Sequence, residues 1–170
     1  SCSNCMHTYP VYDGIPSFMS LAAGEDSYDK ADLEFAFQMQ QQHFWYVSRR
    51  EILYTLLQRI YHKELSNIVM IEIGCGCGGV LQFLHSKGIN VEGGDAFLEA
   101  LQFCAKYAKV PLYQLDAQRT PFADDQYDVV GLFDVIEHIA DDQAALREMY
   151  RICKPGGRII LTVPAHKWLW

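Results

Sequence analysis

The chain has 170 residues, half of them apolar and 21% charged, with a formal net charge of −7. That suits one domain with a substantial core and leaves little room for a second. The acidic balance argues against a broad nucleic-acid surface, no apolar run is long enough to span a bilayer, and no signal-peptide pattern opens the sequence.

In chain order, residues 1–24 form a turn-rich leader punctuated by Pro10, Gly14 and Pro16, with Cys2 and Cys5 in a C-x-x-C and His7 nearby. One such knuckle supplies too few ligands for a tetrahedral zinc site, so no complete metal site is expected within the chain. Residues 25–66 read as a helical segment: "KADLEFAFQMQQQHF" is followed by "SRREILYTLLQRIYH", where Ile52, Leu56 and Ile60 recur at helical spacing. The aromatic stretch "HFWYVSRREIL" lies within it and suits a helix face packed at a sheet edge.

From residue 67 strands and helices alternate. "NIVMIEIG", "INVEGGD", "VPLYQLD", "QYDVVGLFDV" and "RIILTVP" read as five strands; "GGVLQFLHSKG", "AFLEALQFCAKYA" and "DDQAALREMYRICKPGG" read as the helices between them. The last helix takes Asp141 or Asp142 as N-cap and Gly156 as its stop. The alternation predicts an α/β fold, a doubly wound Rossmann-like parallel sheet with helices on both faces, over residues 67–170. In such sheets ligands sit beyond the carboxyl ends of the strands. Glu72, Gly74, Asp95, Asp116 and Asp134 all fall at or just past strand ends. The six cysteines do not form a secreted disulfide framework: Cys75 and Cys77 lie in the glycine turn, and Cys104 and Cys153 in helix-like segments. A reducing, cytoplasmic setting is expected.

Gly74, Gly76 and Gly79 satisfy the dinucleotide fingerprint G-x-G-x-x-G with Asp95 about twenty residues on, while Gly74, Gly76 and Gly78 satisfy the tighter G-x-G-x-G. Glu72, two residues before the turn, separates the two ligand classes. Beside a pyrophosphate it is a costly like charge; beside an ammonium and a sulfonium it is favourable. Asp95 suits either, since both ligands carry ribose hydroxyls.

The ordered set E-x-G-x-G-x-G, the acid after the second strand, L-D-A in the third, D-V-V…E-H and K-P-G-G resembles class I S-adenosylmethionine-dependent methyltransferases over residues 68–164, in particular the group with the E-H pair. The resemblance implies S-adenosylmethionine as cofactor and a small-molecule methyl acceptor. It places Gly74 and Gly76 against the methionine part, with Gly78 completing the turn and Glu72 at the amino end. Asp95 falls on the ribose hydroxyls, Ala96 or Phe97 on an adenine face, Asp116 on the adenine amino group with Ala117 beside it, and Phe133 near the sulfur. Arg50 or Arg49, from the H-[FW]-W-[FY]-x-x-R-R stretch, meets the cofactor carboxylate. His138 is the candidate general base, needed only where the acceptor must lose a proton; it equally suits capping a helix or bonding Glu137. Asp134, Glu137 and His138 also resemble the E-x-x-E-H of quinone-pathway O-methyltransferases, which leaves a divalent ion open.

The leader's "CSNCMHTYPVYDGIPSFM" resembles the second half of a small zinc-ribbon leader. Methyltransferases of this class continue past the fifth strand, whereas this chain stops in "HKWLW", so a truncated domain with an uncovered edge open to self-association is expected. A catalytically silent cofactor-binding subunit and a nicotinamide-dependent oxidoreductase remain the competing readings; no nucleic-acid partner is expected.

Overall fold

The structure is a computed structural model that describes residues 8–19 and 29–165. The expectations on Cys2, Cys5, His7 and the last five residues lie outside the described residues.

A short hairpin, β1 (Val11–Tyr12) and β2 (Ile15–Pro16), precedes two helices, α1 (Lys30–Gln42) and α2 (Phe44–Tyr61). Asp29 caps α1 by accepting from the Ala31 N–H. His43 takes an extended conformation and breaks the helical run, so the aromatic stretch falls inside α2 and not between two helices. The alternating part follows as β3 (Val69–Ile73), α3 (Gly79–Ser86), β4 (Asn90–Asp95), α4 (Leu98–Tyr107), β5 (Leu112–Gln114), β6 (Tyr127–Phe133), α5 (Asp142–Ile152) and β7 (Cys153–Thr162).

These five strands form one parallel sheet in the order β5-β4-β3-β6-β7. The chain moves outward from β3 to β5 and then returns to the other side of β3, so strand order reverses between β3 and β6. A crevice opens beyond the carboxyl ends at such a switch point. Strand pleating splits β3 between two cores. Met70 joins Leu53 and Leu57 of α2, Leu81 and Leu84 of α3 and Leu101 of α4; Ile71 and Ile73 face Met149 and Ile152 of α5. Glu72 therefore points to the α2 side.

Two local expectations are corrected. The buried stripe of α2 is Leu53 and Leu57, while Ile52 is 67% and Leu56 39% exposed. The last helix ends at Ile152 and not at Gly156, because Cys153 already pairs with Tyr127 as the first residue of β7; the register then shifts before Val129 meets Arg158. At one sheet edge β5 is met by the leader, through a parallel bridge from Ser17 to Gln114. At the other, β7 pairs with β6 alone among the described residues.

Candidate active site

The glycine turn between β3 and α3 is built from backbone that side chains resist. Gly74, Gly76 and Gly78 all have positive φ, at 75°, 52° and 83°. Each is a glycine for a different further reason. A Cβ at Gly74 would lie 2.3 Å from Val135 Cγ2, and one at Gly78 would lie 2.2 Å from Cys104 Sγ. A Cβ at Gly76 would meet no atom within 4 Å and would project into open space. The turn is fixed to the next strand, since the N–H groups of Gly74 and Cys75 both donate to the Gly94 carbonyl, at 2.7 and 3.1 Å.

Beyond the strand ends lies a cavity of about 760 Å³. Its lining brings together Glu72, Gly74, Gly76, Asp95, Ala96, Phe97, Asp116, Ala117, Phe133 and His138. Gly78 is not among them; it packs on Cys104 and starts α3. Arg50 is not either. It leaves the far side of α2, where its guanidinium lies 5.0 Å from the Phe83 ring centroid and its Nη1 donates to Gln41 Oε1 at 3.3 Å. Arg49 takes the cleft position instead, donating through Nη1 to Asp134 Oδ2.

Glu72 is 3% exposed, and its Oε2 has no hydrogen-bond partner. Burial holds its carboxyl well above the usual carboxylate range, with the Arg49 guanidinium opposing that shift. Arg49 Nε is also buried without a partner. Both residues line the cavity, one with an unpaired acceptor and the other with an unpaired donor. An unmet buried polar atom costs about 1–3 kcal/mol.

Asp95, at the end of β4, accepts from the Gly76 N–H through Oδ2 at 2.8 Å and from the Phe97 N–H through Oδ1 at 2.9 Å. Burial raises its pKa and these two backbone donors oppose the rise. A carboxylate offers about four lone-pair sites, so it braces the turn and keeps capacity for ligand hydroxyls. Asp116 accepts from the Gln118 N–H at 2.8 Å just past β5. His138 is exposed at the cleft mouth in a short 3-10 turn, where its N–H donates to the Val135 carbonyl.

Asp134, at the end of β6, has φ of 58°, rare for a non-glycine residue. Its carboxylate is shared between Arg49 and the Thr162 hydroxyl, the latter at 3.0 Å. Both Asp134 oxygens therefore accept from protein donors. Cys75 also lines the cleft, but its hydrogen bond with Cys104 and burial push its thiol well up, and burial pushes Cys77 to about 12. These thiols are packing groups and not nucleophiles.

The family description "Methyltransferase domain" matches residues 71–161, more than half of the chain. The chain belongs to this family. Its members draw the methyl group from S-adenosylmethionine, and the sheet described above is their Rossmann-like fold. The chain is 28% identical over 106 residues to the ubiquinone biosynthesis O-methyltransferase of Rickettsia akari, covering 60% of this chain and 42% of that protein. Among solved structures, the PH0226 protein of Pyrococcus horikoshii superposes with a TM-score of 0.65 at 24% identity, covering 80% of this chain and 64% of that one. Phosphoethanolamine N-methyltransferase 2 of Haemonchus contortus, solved in complex with S-adenosyl-L-methionine, gives 0.56 at 29% identity, over 65% of this chain and 27% of that one. The chain spans less than half the length of the curated relatives it matches.

Two further residues line the cleft. Gln40 of α1 both lines it and accepts from the Gly79 N–H through Oε1 at 3.0 Å. Tyr46 lines it beside Arg49, whose guanidinium is 5.4 Å from the Tyr46 ring centroid. Tyr46 belongs to the H-[FW]-W-[FY]-x-x-R-R stretch, whereas nothing in the polar pattern of "QMQQQ" distinguishes Gln40.

Proposed function

We propose that this chain binds S-adenosylmethionine in the cleft at the switch point and transfers its methyl group to a small-molecule acceptor. The observation that carries the reading is the pair of orphaned buried atoms, Glu72 Oε2 and Arg49 Nε, on residues that line a cavity whose glycine turn leaves open space at Gly76. A zwitterionic amino-acid end meets both at once, its ammonium at Glu72 and its carboxylate at Arg49. A pyrophosphate meets only Arg49 and leaves the Glu72 carboxyl without a cationic partner. On this reading Asp95 accepts from the ribose hydroxyls, Ala96 and Phe97 flank the adenine, and Asp116 with Ala117 holds its amino edge. Phe133 and Val135 lie toward the sulfur.

When bound, the cofactor supplies an already activated methyl carbon. The protein's part is to hold the acceptor in line and exclude water. Tyr46, Asp134, His138 and Ile139 also line the cavity, and on this reading they border the acceptor. His138 takes a proton at its imidazole if the acceptor is a hydroxyl. An O-methyltransferase and an N-methyltransferase stand among the relatives, and small acceptors are what they share.

The test supplies S-adenosylmethionine with a labelled methyl group and a panel of catechols, hydroquinones and amines. Acceptor-dependent transfer that disappears in Asp95→Ala supports the reading. Cofactor binding without transfer to any acceptor leaves the chain as a silent binding subunit.

A further inference from the structure

Residues 8–19 reach the sheet from outside, and the stretch that follows β2 runs parallel to β5. Ser17 bridges Gln114, and the Phe18 N–H donates to the Gln114 carbonyl at 2.8 Å. This parallel course carries the next residue, Met19, to the carboxyl end of β5, where it lines the cleft in company with Leu115 and Asp116. The leader is anchored where it lies. Ile15 is buried in the same core as Leu112, Ser17 is 4% exposed, and Gln102 Nε2 donates to Asp13 Oδ2 at 2.7 Å. Gln114 passes the contact inward, its Nε2 donating to the Ala96 carbonyl at 2.9 Å. The leader thus holds β5 by its backbone while Gln114 holds the turn after β4.

We propose that Met19 is a positioning residue that walls the nucleoside end of the cleft, so that affinity for the adenosyl group is set in part by the N-terminal segment. This rests on the S-adenosylmethionine reading. Asp95 and Asp116 mark the nucleoside end, between the ends of β4 and β5. Because β5 is the edge strand on that side, the residue delivered to that flank among the described residues is Met19. An unbranched thioether moulds to an irregular gap and makes favourable sulfur contacts with an aromatic ring.

The experiment titrates the full chain calorimetrically with S-adenosylhomocysteine and with 5′-methylthioadenosine, which lacks the amino-acid end. Met19→Ala is expected to weaken both ligands by one common factor, roughly 3- to 10-fold. Met19→Leu, which conserves volume, is expected to stay within about twofold. Arg49→Gln is expected to weaken S-adenosylhomocysteine alone. Should Met19→Ala melt below the assay temperature, Met19→Gln, of similar length but polar, takes its place. Unchanged affinity for both ligands in the folded variant, with or without a fall in melting temperature, overturns the proposal. Failure of the wild-type chain to bind either ligand overturns the cofactor reading itself, and the proposal with it.

Discussion

Arg49 on α2 donates to Asp134 at the carboxyl end of β6, so a helix outside the alternating part of the fold is tied to the sheet by two residues that line the cleft. Asp134 is held in its left-handed conformation from several sides. Its N–H donates to the Thr162 carbonyl at 2.9 Å, and its carboxylate accepts from Thr162 Oγ1 and Arg49. Such strained residues persist where their surroundings over-determine them. Here the surroundings are one helix and the last strand, so the clasp links the cap to the far half of the sheet.

The clasp makes adjacent arginines separable. Arg49→Gln removes a charged donor from a half-buried site and is expected to cost roughly 10- to 100-fold in S-adenosylhomocysteine affinity, about 1.5–3 kcal/mol. Arg50→Gln, which faces Phe83, is expected to leave that affinity within about twofold. Titration of both variants decides it; equal losses would remove Arg49 from the site.

Glu72 gives the ligand-free protein a pH dependence of defined sign. Its carboxyl is raised by burial, so the folded chain binds that proton more tightly than the unfolded chain. Stability therefore falls as pH climbs from the ordinary carboxylate range toward the raised value, and the loss is complete above it. Glu72→Gln is expected to flatten this part of the melting profile and to be more stable than wild type, without ligand, above the window. An ammonium requires the Glu72 anion, so ligand binding within the window releases a proton. Calorimetry in two buffers of different ionisation enthalpy measures that release.

Gly74 and Gly76 make a second separable pair. Gly74→Ala combines a positive φ with a collision on Val135 and is expected to destabilise the fold by about 2–4 kcal/mol. Gly76→Ala meets no protein atom and is expected to cost about 1 kcal/mol of stability. It should nonetheless abolish measurable ligand binding, because its methyl group enters the cleft. Denaturant unfolding and titration of each variant provide the check.

Much of this site was legible because its chemistry is local. Gly74, Gly76, Asp95 and Asp116 are recognisable residue types at the ends of strands whose apolar runs are unambiguous. The arginine was not, because one step along a helix rotates a side chain by about 100° and α2 carries apolar residues in both candidate phases. Ile52 and Leu56 suggested one face; burial of Leu53 and Leu57 against the sheet selected the other and carried Arg49 to the cleft. Gly156 read as a helix stop, yet pairing of Cys153 with Tyr127 ended the helix four residues earlier. Placement of the leader beside β5 depends on backbone pairing between Ser17 and Gln114, for which residue types give no cue.

On the proposed function, the cleft takes an adenosyl amino acid with a cationic ammonium and not a dinucleotide. Calorimetric titration with S-adenosylhomocysteine and, separately, NAD, each repeated in Asp95→Ala, tests it most directly. Binding of S-adenosylhomocysteine alone, lost in the variant, is the expected result. Binding of NAD in its place would contradict the account.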